Sequence, residues 1–176
     1  MHKSLFIFSL LLIFSCNTQS IHSKLTKENN GIKPEDCPVP QKGQNDNFLK
    51  GIDKLKNYKW NAITKKATLN LHNKKLIITH GGCIHFIVDA EFHPKEKINL
   101  DTNFNAIFED ILWITNILKD FNYNTLKTSI ETKDYEIFTN QYVTTITFNN
   151  KVLKDNFYAI VVNTKENRYS ISQFLQ

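Results

Sequence analysis

The sequence predicts an α+β domain: a two-layer sandwich in which an antiparallel sheet of about six strands packs under one long helix, with a short helix ahead of it. Three observations carry this. Apolar residues between Phe104 and Leu118 recur at intervals of three and four, the period of one helix face. Stretches on both sides of that segment alternate at period two and are rich in Val, Ile, Thr, Tyr and Phe, as half-buried strands are. Asn- and Gly-bearing pairs punctuate those stretches where an antiparallel chain must reverse.

Asp46 or Asn47 offers an N-cap for the short helix, and Phe48, Leu49, Ile52 and Leu55 follow at helical spacing, interrupted by Gly51. Ala67, Leu69 and Leu71 then alternate with Thr68, Asn70 and His72, which predicts a strand. Asn73-Lys74 turns the chain, Leu76 to Thr79 returns as a second strand, and Gly81-Gly82 breaks or bulges it. Cys83 to Phe92 is the clearest strand. It sets Ile84, Phe86, Val88, Ala90 and Phe92 on one face and Cys83, His85, Ile87, Asp89 and Glu91 on the other, and His93-Pro94 ends it.

Asp101-Thr-Asn103 supplies capping chemistry for the long helix. Its apolar arc runs through Phe104, Ile107, Phe108, Ile111, Leu112, Thr115 and Leu118 and is widened by Ile114, Ile117 and Phe121, so the helix lies on a sheet. Asn122 to Lys133 fits either a short second helix or a loop. Gln141 to Phe148 predicts a strand, Asn149-Asn150 a turn, Phe157 to Val162 a central strand, Lys165-Glu-Asn167 a further turn, and Tyr169 to Phe174 the last strand. No internal repeat is present.

Three segments organise the chain: a leader over 1–15, a polar tether over 16–44 with the stiff Cys37-Pro-Val-Pro40 near its end, and one domain over 45–176. The leader joins His2 and Lys3 to an apolar run, Leu5 to Phe14, that is too short to span a bilayer and has the length of a signal-peptide core. Ile13-Phe14-Ser15-Cys16 resembles the lipobox of bacterial lipoproteins: an aliphatic residue, a variable one, a small one and a cysteine. Phe14 is bulkier than the usual occupant of its place. The resemblance covers the leader alone and implies cleavage between Ser15 and Cys16 by signal peptidase II. It also implies diacylglycerol on the Cys16 thiol, and so a membrane-lipid partner through acylated Cys16. Two or three acyl chains give stable anchoring where one is marginal. Asn17 stands where an inner-membrane retention signal would place Asp, and no acidic cluster follows. The implied location is a periplasm-facing leaflet, of the outer membrane in preference to the cell membrane.

Among the 176 residues, Lys, Asn and Ile are abundant together, as in Bacteroidota proteins from A+T-rich genomes. The net charge of +5 comes from scattered lysines, and Arg168 is the lone arginine. Without an Arg-rich stretch for bidentate phosphate contacts, nucleic acid is excluded as a partner. Three cysteines would leave one unpaired in an exported protein. Assigning Cys16 to lipid leaves Cys37 and Cys83 as a disulfide, closing a loop of roughly 46 residues worth about 4 kcal/mol in the chain-entropy model.

His80-Gly-Gly-Cys83-Ile-His85 is the one concentrated reactive cluster. Imidazole and thiolate are zinc ligands, which makes His80, His85 and His93 metal candidates, and a Cys/His pair is also a nucleophile pattern. Both readings compete with the disulfide, and the spacing matches no zinc or cysteine-hydrolase signature. Gly81-Gly82 precedes a strand rather than a helix, against a phosphate cradle. The sequence therefore predicts no catalytic residue, cofactor or resident metal. It predicts a lipid-anchored envelope protein that binds another protein, in its sharpest form an immunity or inhibitor lipoprotein. The alternatives are an envelope enzyme or metal-binding protein built on His80, Cys83 and His85, and an accessory subunit of an outer-membrane complex.

Overall fold

The computed structural model describes residues 38–40 and 44–175. The leader with Ser15, the lipidation candidate Cys16 and the disulfide candidate Cys37 lie outside them. After two 3-10 turns, Asn47–Leu49 and Asp53–Leu55, the chain lays down β1 (Lys59–Asn61), β2 (Lys66–Asn70), β3 (Lys74–Gly81) and β4 (Phe86–Pro94). Helices α1 (Leu100–Ile117) and α2 (Tyr123–Glu131) follow. The remainder comprises β5 (Tyr135–Asn140), β6 (Val143–Phe148), α3 (Lys151–Asp155), β7 (Ala159–Asn163) and β8 (Arg168–Leu175).

The strands form one eight-stranded antiparallel sheet in the order β1-β2-β3-β4-β8-β7-β6-β5. Two meanders, β1–β4 and β5–β7, are joined by the last strand, which pairs with β4 on one side and β7 on the other. The α+β class and the antiparallel sheet agree with the sequence reading; the strand count and the helix layer do not. Lys59–Asn61 and Tyr135–Asn140 add two strands, and α2 and α3 join the long helix.

Period-two alternation sorts the sheet into two faces. Ala67, Leu69, Leu76, Ile78, Val88, Ala90, Phe92, Ile146, Ile160, Val162 and Ile171 form one buried cluster with Ile107, Phe108, Ile111, Ile114, Leu118, Leu126 and Leu153 of the helical layer. Each fully buried aliphatic side chain contributes about 1.5–3 kcal/mol by leaving water. Among the described residues, no helix packs on the opposite face.

Local chemistry explains the corrections. The short N-terminal helix gives way to two 3-10 turns because Gly51, at φ 83, reverses the chain between them. Asp46 makes no cap hydrogen bond and instead accepts one from the Tyr58 hydroxyl at 2.7 Å. The α1 cap is Asn99, two residues before the predicted site; its side chain accepts from the Asp101 N–H. Asn122 and Asn150 cap α2 and α3 in the same way, the first settling the helix-or-loop alternative and the second starting a helix where a plain turn was predicted. The strand predicted from Cys83 begins only at Phe86, because Gly82 bends the chain and Cys83–His85 form a loop. Alternation therefore fails there, and Ile84, assigned to the core face, is exposed.

Candidate functional site

The loop holding Cys83 and His85, which follows His80 at the end of β3, is built by close backbone approach. A Cβ on Gly82 would lie 2.0 Å from the His85 carbonyl oxygen, and one on Gly81 would lie 2.4 Å from Gln44 Oε1. Gln44 is buried: its Oε1 accepts from the Gly82 N–H, and its Nε2 donates to the carbonyls of Gly82 and Pro40. The packed body thus includes Gln44. Val39 N–H donates to the Cys83 carbonyl at 3.0 Å, which brings the chain two residues beyond Cys37 alongside Cys83. Cys83 itself is disulfide-bonded.

This geometry takes the reactive cluster apart. His80 turns to the helical layer, stacked on Phe48 at 3.9 Å with Phe86 edge-on and Nε2 3.5 Å from Asp120 Oδ1. Asp120 is held below the usual carboxylate range, chiefly by His80 beside it. His85 lies edge-on to Phe174. His93 sits on the opposite sheet face, its Nε2 2.6 Å from Glu91. Among the described residues, no three His, Cys, Asp or Glu side chains converge as a metal site. The disulfide also removes the thiolate that a nucleophile or zinc site would need.

Two polar assemblies lie elsewhere. On the sheet face away from the helices, Glu91 pairs with Arg168 and His93, and Arg168 also reaches Glu166 at 2.5 Å. Beside them Asp89, directly opposite Thr79 and Ser172, has its carboxyl pushed up to about 7, first by burial and then by Glu91. At the other end of α1, a cleft of about 350 Å³ has Lys74, Asp110 and Tyr169 at its floor. Asp110 accepts from both the Lys74 ammonium and the Tyr169 hydroxyl. Burial and this carboxylate both push the Tyr169 phenol up. The three groups satisfy one another and fasten α1 to β3 and β8, so the assembly is explained as a strut.

The surface with the clearest unfilled bonding capacity is β5. It is the edge strand opposite β1 and has one partner, β6. Five of its six residues are exposed, including Ile137 at 49% and Phe138 at 56%, which point to opposite faces. The hairpin tip adds exposed Tyr142, with the Lys165 ammonium 5.9 Å from its ring. An edge strand presents a row of outward N–H and C=O groups, and natural sheets usually blunt it with lysine, proline or a bulge. Tyr135–Asn140 contains none of these and one charge, Glu136. The sequence reading missed this strand, although Tyr135, Ile137 and Phe138 together are a β-former signal. Comparison with protein-family models, with curated proteins and with solved structures finds no match to this chain.

Proposed function

We propose that this is a lipid-anchored cell-envelope protein that acts by binding another protein, and that the β5 edge is where it does so. The observation that carries this reading is the unblunted edge strand with Ile137, Phe138 and Tyr142 exposed along it. Strand addition supplies affinity through main-chain hydrogen bonds and specificity through alternate side chains. Here those would be Ile137 toward the helical side and Phe138 toward the other. An exposed aromatic at a hairpin tip is a typical interface anchor. An immunity or inhibitor role for a tethered domain fits this mode, since it needs capture rather than chemistry. Cys16 as the lipid site, with cleavage after Ser15, supplies the anchor, and no helix among the described residues is long and apolar enough to cross a membrane.

The test is capture from envelope extracts with the processed lipoprotein, comparing wild type with Phe138→Lys and Ile137→Glu. Wild type should retain a defined partner, and both variants should lose it while melting like wild type. Recovery of no partner, or equal recovery by the edge variants, rules the proposal out.

A further inference from the structure

Seven large apolar side chains of the described residues stand exposed. Three of them, Ile137, Phe138 and Tyr142, belong to the β5–β6 edge. The other four, Ile63, Ile84, Val152 and Phe157, all lie in connections at one end of the sheet. Strand register fixes this. The pair Asn61↔Lys66 closes the turn bearing Ile63, Gly81↔Ile87 closes the loop bearing Ile84, and Thr147↔Ala159 closes the segment bearing Val152 and Phe157. Lys66↔Thr79 and Ile87↔Phe174 tie these closures to the same end, and Phe174 N–H donates to the Asn156 carbonyl there. From β2 to β7 is four inter-strand steps, so the tips are spread over about 20 Å.

Ile63 is 93% exposed, Ile84 61% and Phe157 58%. Phe157 also holds φ 52, a left-handed conformation that disfavours a bulky residue. Its ring stands 5.9 Å from Phe174, which extends the apolar tip inward. The N-terminal segment joins the body at this same end, through the Val39–Cys83 hydrogen bond beside the Cys83 disulfide. Lys154 stands in the same connections, beside Lys151, which pairs with Asp155, and Lys65, which donates to the Gln44 carbonyl.

We infer that this end of the domain rests on a phospholipid surface, with Ile63, Ile84, Val152 and Phe157 entering the headgroup layer and the neighbouring lysines meeting its phosphates. The inference rests on the lipid-anchor reading, because Val39, among the first described residues of the chain, is bonded at this end. The arrangement fits a membrane better than a protein. A protein interface needs a contiguous apolar core with matched shape. Separate tips on different loops can each enter a fluid interface independently, and basic side chains add attraction to anionic lipid.

The test uses the full chain in a lipoprotein-processing bacterium, with the photo-reactive residue p-benzoylphenylalanine at position 63, 84 or 157. The control position is 96, in the connection between β4 and α1 at the opposite end of the sheet. After irradiation of intact cells, phospholipid adducts are expected on the purified protein at the three tip positions and not at 96. Absence of adducts at the tips, or equal yield at 96, overturns the inference. Fractionation of the same cells reads the anchor independently. A chain found in membranes without tip adducts overturns the resting end and leaves the anchor standing. A chain found outside membranes and without adducts overturns both.

Discussion

Asp89 shows at the scale of one residue how the finished sheet resets the meaning of a sequence pattern. Alternation along Phe86–Pro94 places it on the face away from the helices, where a carboxylate reads as solvated. In the sheet it lies between β3 and β8, opposite Thr79 and Ser172, and burial together with Glu91 raises its carboxyl to about 7 against the opposing pull of Lys66, Arg168 and Ser170. In the unfolded chain the same group titrates near 3.9, approximately. Between roughly pH 4 and 7 the folded state therefore holds a proton that the unfolded state has lost, and stability falls as pH rises through that window. Asp89→Asn should match wild type near pH 4 and be more stable at pH 8 by on the order of a few kcal/mol. Urea denaturation at the two pH values reads this; equal destabilisation at both would show that the folded chain accommodates the charge. Asp120 carries the opposite sign. His80 beside it lowers its carboxyl, so its contribution is present above the unfolded value and disappears as pH falls through the folded one. Asp120→Asn should destabilise the protein at pH 7 and lose that difference as pH falls below the ordinary carboxylate range, by the same measurement. The environment of neither carboxyl was legible in the sequence. Asp89 is enclosed by a strand some eighty residues further on, and Asp120 meets His80 only because the segment after α1 comes back to the end of β3.

Elements were legible where their determinants are local. The α1 helix announces itself because its apolar period lies within one segment, and the β6 and β8 strands because β-branched and aromatic residues alternate there. The β5 strand was not legible: as an edge strand reaching past the helical cover, it buries little on either face, and burial is what writes alternation into a sequence. The loop at Cys83–His85 was misread as strand because its polar and apolar residues alternate by chance, while the turn is built on the close approaches at Gly81 and Gly82. That turn gives a prediction at the scale of the element. Gly51 at φ 83 has open space around a built Cβ, so Gly51→Ala should cost about 1 kcal/mol from backbone strain alone. Gly82→Ala drives the new methyl to 2.0 Å from the rigid His85 carbonyl, and should cost roughly 3 kcal/mol by forcing the loop apart. Denaturant midpoints of the two variants check the ranking; equal midpoints would mean that the loop yields freely.

At the scale of the whole molecule, the last strand closes the sheet, with Ile171 buried between Ala90 and Ile160. The strands then run from the loop end that receives the N-terminal segment to the opposite end, so the β5 edge lies along the side of the domain. On a membrane, the proposed resting end would set that edge upright, where a neighbouring envelope protein could add a strand to it. The cysteines decide whether this orientation holds. Cys83 is disulfide-bonded, and the chain contains two other cysteines, Cys16 and Cys37. If Cys16 carries lipid, Cys37 must be the partner within the chain, and the bridge fastens the entering segment at the loop end. Cys37→Ser and Cys83→Ser should then lower stability equally, by about 4 kcal/mol. A reductant should lower wild type to the same level and leave both variants unchanged. Cys16→Ser should keep full stability and be left soluble or unprocessed. Urea denaturation with and without reductant, beside fractionation, separates the outcomes. Equal loss of stability in Cys16→Ser and Cys83→Ser, with Cys37→Ser unaffected, would instead pair Cys16 with Cys83, and a thiol in a disulfide cannot carry diacylglycerol. The lipid anchor and the resting end would fail together, leaving the β5 edge as a binding surface on an untethered domain.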